Sequence, residues 1–179
     1  MGGTPVSERA KLEFELGRLA EEIAQLFVSR CLTLAVAESC TGGLISHSLT
    51  NLPGSSRFFL AGLCVYSIDA KVNVLGVPRE LIQRQGVVSS EVAEAMADRV
   101  RLLCGSNVGL ATTGYAGPAT GVEKLPVGTV FIAMSTEKTS PTHEFHYKGD
   151  RLGVKLAAAI DALRLLLHES MIAISFPKH

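Results

Sequence analysis

From Ser7 to about Arg30, apolar residues recur three or four positions apart, at Leu12, Leu16, Leu19, Ile23 and Phe27. That spacing predicts one face of a long amphipathic helix. Residues 31–37 form a continuous apolar run that reads as a buried strand, and 43–52 read as a helix. Pro53-Gly54-Ser55-Ser56 is a turn signal. Phe58 to Tyr66 reads as a second strand, and Asp69 to Leu75 as a short helix. A small helix starts at Pro78 and ends at Gly86. A longer one, capped by Ser89 or Ser90, runs to Leu103 with Val92, Met96, Val100 and Leu103 on its apolar face. Val108 to Thr113, Val127 to Ser135 and Thr142 to Tyr147 read as strands, and Asp150 caps a last helix to about Ser170.

Helices interleave with strands early, and strands follow one another late. The expectation is an α/β fold: a single layered domain over 7–170, with a mixed β-sheet flanked by helices and short tails at 1–6 and 171–179. A length of 179 residues suits one domain with a sizeable core. Apolar residues make up 47% and charged residues 19%, which excludes a disordered chain. The 17 basic and 17 acidic residues cancel, so a dedicated nucleic-acid binder is not expected. No apolar run approaches the roughly 20 residues that cross a bilayer. Cys31, Cys40, Cys64 and Cys104 lack C-x-x-C spacing, so neither a disulfide framework nor a zinc site is expected. With no signal-peptide pattern, the reading is a cytoplasmic protein with reduced thiols.

Four segments offer chemistry. In Ala37-Glu38-Ser39-Cys40-Thr41-Gly42-Gly43 a small hydroxyl residue sits where a strand turns into a helix. Free amides at that helix start would suit an oxyanion or a phosphate. Taken alone, Ser39 or Thr41 reads first as the helix N-cap. Tyr66-Ser67 with Lys71 lies at a second strand-to-helix turn, and a lysine acts as a base only when its pKa is pulled down. Thr113 to Pro118, continuing to Pro126-Val127-Gly128-Thr129, is a long Gly/Pro-rich loop that suits ligand wrapping. Gly149-Asp150-Arg151 puts an arginine fork at the last helix start. His143 and His146 face opposite sides of a strand, so a Ser-His-Asp triad is poorly supported.

Together these segments, with Gly54-Ser55-Ser56 and Gly86-Val87-Val88-Ser89, resemble the CinA C-terminal domain family, the PncC type of nicotinamide-nucleotide amidohydrolase. They occur in the family's order over about residues 8–168. The resemblance implies hydrolysis of the carboxamide of nicotinamide mononucleotide, giving nicotinic acid mononucleotide and ammonia. Carried over by position, Ser39 is the nucleophile, assisted by Tyr66 and Lys71. Glu38, Cys40, Thr41, Gly42, Gly43, Thr113, Gly114, Ala116, Gly117 and Arg151 are the expected substrate-binding residues. No cofactor and no metal is implied, and the expected assembly is a homodimer. Full-length members carry a further N-terminal domain associated with nucleotide pyrophosphatase activity, which is not expected of this chain.

The chain departs from the family pattern mainly in one loop. Tyr115 replaces an isoleucine, Ala119 and Thr120 replace the residues after the proline, and Leu125 stands where a lysine is usual, with Lys124 one place early. Ile68 replaces a common asparagine. The alternatives are therefore a hydrolase of a different small amide, or a non-catalytic nucleotide- or partner-binding domain on the same fold.

Overall fold

The computed structural model describes residues 6–119, 121 and 124–175. Its helices are α1 (Val6–Ser29), α2 (Leu44–Thr50), α3 (Ile68–Asn73), α4 (Arg79–Gln85), α5 (Ser90–Cys104) and α6 (Arg151–Ser175). Its strands are β1 (Leu34–Glu38), β2 (Phe59–Cys64), β3 (Val108–Gly114), β4 (Thr129–Ser135) and β5 (Thr142–His146). The strands form one sheet in the order β2-β1-β3-β4-β5. β1 is parallel to both β2 and β3, while β3/β4 and β4/β5 are antiparallel. The expected mixed sheet between helices is therefore the observed one. No helix among the described residues is long and apolar enough to cross a membrane.

Local signals account for the element ends. Ser89 Oγ accepts the Val92 amide at the start of α5, and Gly105 closes that helix in the left-handed region at φ +62°. Asp150 Oδ1 accepts the Gly153 amide at 2.8 Å and caps α6. Two boundaries differ from expectation. The first strand begins at Leu34, not at residue 31: Cys31 has φ +52° and Leu32 donates back to the Phe27 carbonyl at 2.9 Å, so the chain is still turning out of α1. The last helix continues through Ser175, so the expected tail from 171 is helical to that point. Of the expected tail 1–6, residues 1–5 lie outside the described residues, as does Thr120.

The sheet is covered on both faces, and strand alternation decides which residue goes where. Leu34 and Val36 of β1, Val108 and Leu110 of β3, and Val130, Ile132 and Met134 of β4 join a core with α1 and α6. The intervening Ala35, Ala37, Ala111 and Ala133 face α5 with Val92, Met96 and Val100. In β1 and β3, large side chains thus fill one layer and small ones the other. A β-carbon on Gly109 would stand 2.1 Å from the Ala97 carbonyl oxygen, so the α5 backbone lies directly on β3.

The same alternation sends Glu38 and Ser39 to opposite faces. Glu38 continues the series of Leu34 and Val36 and is wholly buried beneath α2. Its carboxylate accepts five hydrogen bonds, from the amides of Gly43, Ile45 and Ser46 and the hydroxyls of Thr41 and Ser46, at 2.6–3.1 Å. An internal carboxylate thus satisfies the amides at the start of α2 and complements their positive end. The cap expected from Ser39 or Thr41 is not made, since Gly43 occupies the N-cap without a side-chain bond. Removing the Glu38 carboxylate leaves several buried donors unpaired. Glu38→Ala is expected to lower the unfolding free energy by about 3–5 kcal/mol and the melting temperature by on the order of 10 °C. Thermal and urea denaturation check this, and a change within about 1 kcal/mol would mean that the junction is held by other contacts.

Candidate active site

A cavity of about 240 Å³ opens where β1, β2 and β3 end. It is lined by Ser39 and Cys40 after β1, Tyr66 after β2, Lys71 of α3, Thr113 and Gly114 of β3, the Tyr115–Pro118 loop, Val87 and Val88, and Arg151 of α6. β1 lies between its two parallel partners, and α2 and α5 cover opposite faces of the sheet. The site is thus the crevice beyond the carboxyl ends of parallel strands, at a switch in strand order.

Ser39 is held from both sides by backbone. Its amide donates to the Thr112 carbonyl at 3.0 Å, and its carbonyl accepts the Gly42 amide at 3.1 Å. On the α5 side of the sheet it meets Lys71, whose Nζ stands 2.8 Å from Ser39 Oγ and 2.8 Å from the Val65 carbonyl oxygen. Lys71 has no solvent-exposed surface and Ser39 only 8%. Ser67 explains how a lysine reaches this place: its Oγ accepts the Ala70 amide at 3.0 Å and starts α3, which turns Lys71 inward one turn later. Desolvation disfavours the ammonium and pulls the Lys71 pKa from 10.5 to about 8, partly countered by the Cys40 and Cys64 thiols. A basic amine and a hydroxyl in contact are the parts of an activated nucleophile.

Cys40 is poorly placed to react as a thiolate. Burial pushes its thiol up to about 12. The amides of Cys40 and Thr41 lie against its sulfur, a weak acceptor. The amides of Gly42 and Gly43 already donate to the Ser39 carbonyl and to Glu38. Of the four amides expected to face a ligand, only those of Cys40 and Thr41 lack a strong internal acceptor.

Tyr66 and Arg151 stand at the mouth. Tyr66 is 57% exposed, and its hydroxyl takes a hydrogen bond from Arg151, which also donates to the Gly117 carbonyl. No hydrogen bond joins Tyr66 to Ser39 or Lys71 among the described residues. Thr113 donates its hydroxyl to the Val87 carbonyl at 2.9 Å and ties the loop before α5 to the wall.

Of the expected site residues, the structure brings Ser39, Cys40, Tyr66, Lys71, Thr113, Gly114, Ala116, Gly117 and Arg151 to one cavity. Glu38, Thr41, Gly42 and Gly43 do not line it. Glu38 and Thr41 are locked together under α2, with Thr41 also 2.9 Å from the Thr112 hydroxyl, because they face the other side of the sheet. Four lining residues carried no expected role: Val87, Val88, Tyr115 and Pro118. Val87, Val88 and Pro118 lie within segments that matched the family and Tyr115 lies between two of them, which was the available signal. The Val65 carbonyl, a backbone group, had none. No group of three or more potential metal ligands occurs among the described residues.

Comparison with known proteins places the sequence and the fold in one family. The CinA C-terminal domain family matches residues 16–170. A CinA-like protein of Geobacter metallireducens is 46% identical over 151 residues, covering 82% of this chain and 37% of that protein. One from Desulfotalea psychrophila is 44% identical over 153 residues, covering 86% and 37%. The chain thus spans little more than a third of the length of these curated relatives. Solved structures match nearly end to end. The competence or damage-inducible protein of Enterobacter asburiae superposes with a TM-score of 0.83 at 32% identity, over 87% of this chain and 98% of that one. The competence/damage inducible protein CihA of Agrobacterium tumefaciens gives 0.82 at 34% identity, over 94% and 98%. By sequence and by fold, the chain belongs to the CinA C-terminal domain family.

Proposed function

We propose that this domain is a serine amidohydrolase that converts nicotinamide mononucleotide to nicotinic acid mononucleotide and ammonia. The observation that carries the reading is the buried contact of 2.8 Å between Lys71 Nζ and Ser39 Oγ. A solvated lysine would be protonated at neutral pH and would serve only to bind. This one is desolvated until its amine competes for a proton near pH 8. The binding-module alternative would leave the lysine in water, and the geometry favours the enzyme. The direct contact also favours Lys71 over Tyr66 as the base.

In the neutral amine, one N–H donates to the Val65 carbonyl and the lone pair accepts the Ser39 hydroxyl. Ser39 Oγ attacks the amide carbon as its proton passes to Nζ. The resulting oxyanion is met by the amide of Cys40, which lines the cavity, where a charged oxygen displaces a thiol sulfur as acceptor. The C–N bond then breaks, the lysine proton goes to the departing nitrogen, and ammonia leaves. Water, deprotonated by Lys71, attacks the acyl carbon. The carboxylate departs and Ser39 regains its proton. Arg151 and Tyr66 hold the substrate at the mouth. With Lys71 neutral, the charged side chain lining the cavity is the Arg151 cation, and no carboxylate lines it, which suits an anionic substrate. A cytoplasmic homodimer belongs to the same proposal, and Phe14 of α1, 74% exposed, is an apolar side chain such an interface would cover.

Ser39→Ala is expected to lower ammonia release from nicotinamide mononucleotide by at least about a thousandfold, with a melting temperature close to that of the parent chain. Near-normal turnover in that variant would remove Ser39 as the nucleophile, and nicotinamide and unrelated amides serve as controls.

Because the base is the unprotonated amine, kcat/KM should climb with pH and level off above about 8. Stability follows the same group. Between about 8 and 10.5 the unfolded chain binds the lysine proton and the folded chain does not, so stability rises with pH through that window. The contribution is lost as pH falls through 8. Thermal melts across this range should show the rise in the wild-type chain and its absence in Lys71→Met. Parallel curves for the two proteins would contradict the assignment.

A further inference from the structure

A second cavity, of about 430 Å³, adjoins the catalytic one. The two share Val87 and Tyr115 as a common wall. The second is lined further by Ile68, Arg79, Ile82, Gln83, Gly86 and Lys124. Its charged side chains are again cations only. Arg79 keeps one guanidinium nitrogen on Asp69 at 2.7 Å, which orients the fork and leaves other N–H donors for a ligand. The stem of Lys124 passes over Gly86, where a β-carbon would lie 3.8 Å from Lys124 Cδ; Gly86 has φ +91°. Leu125, beside it, packs against the core under α5. The order Lys-Leu-Pro thus buries the leucine and turns the lysine to the cavity, which gives the departures at Lys124, Leu125 and Tyr115 one physical meaning. Size points the same way. The catalytic cavity lies below the roughly 300–1,000 Å³ of sites that enclose a whole small-molecule ligand, and the adjoining one brings the pair within that range.

We propose that this second cavity is a phosphate seat of the substrate site, with Arg79 and Lys124 as its charges and Gln83 as its neutral hydrogen-bonding group. The inference rests on the amidohydrolase reading for the amide end of the substrate, and adds where its anionic end is held. The amide then lies at Ser39, the sugar passes along the Tyr115–Val87 wall, and the phosphate reaches the Arg79–Lys124 pair. An amide without an anionic group gains nothing from this seat.

The test begins with a probe that has no amide. Ribose 5-phosphate is titrated into the labelled chain and followed by backbone amide NMR, with ribose as control. Saturable shifts at Gln83, Gly86 and Val87 are expected with the phosphate and not with ribose, and R79A/K124A should weaken binding at least about tenfold. Shifts confined to the surroundings of Ser39 and Arg151, equal affinity in the double variant, or no saturable shift at all would overturn the seat. The second arm measures ammonia release from nicotinamide mononucleotide. The double variant should raise KM about tenfold, with the loss falling on KM, and an unchanged KM would also overturn the proposal. If ribose 5-phosphate binds as expected while the wild-type chain releases no ammonia, the amidohydrolase reading falls and the seat stands.

Discussion

The site depends on the complete burial of one amine. Lys71 is covered at the ends of β1 and β2, and among the described residues its amine meets one hydroxyl and one carbonyl. Among the described residues no carboxylate pairs with it to hold it as an ammonium. Placing a cation in such surroundings is unfavourable, and the group answers by becoming a weaker base. In the proposed reaction, the same desolvation that lessens the stability of the fold at neutral pH supplies the proton acceptor for Ser39. Structure and reactivity are linked here through a single protonation equilibrium.

That arrangement rests on the period-two geometry of β1. Glu38 and Ser39 are neighbours in sequence, but a strand sends them to opposite faces. One becomes the anchor of α2, and the other the candidate nucleophile. With its amides on Glu38, the start of α2 is electrostatically complete, so it is a rigid support for the serine and not a seat for an anion. The positive groups available to an anionic substrate come instead from three other places: Arg151 on α6, Arg79 on α4 and Lys124 in the long loop.

Much of the fold was legible because its elements are strongly patterned. The apolar series of α1, the caps Ser89 and Asp150, and the apolar runs of β1, β3 and β4 each announce themselves. The exit from α1 did not, since Cys31 to Thr33 is apolar enough to read as strand while the backbone is still reversing direction. At the site, Ser39, Tyr66, Lys71 and Arg151 were found through segments matching a family, and the structure places them around one cavity. The roles of Glu38 and Thr41 were misread because spacing alone does not tell which face of the sheet holds the ligand. The second cavity was invisible in sequence. It is assembled from Arg79 and Gln83 on α4 and from Lys124 in the distant long loop, and a surface lysine or arginine carries no signal until the fold gives it a neighbour.

The central claim is that Lys71 is a desolvated amine poised to take the Ser39 proton. It is tested most directly by titrating the Lys71 side-chain nitrogen by NMR in the folded chain, with Lys71→Met to assign the signal. The account predicts an apparent pKa near 8. A value at the ordinary 10.5 would contradict it.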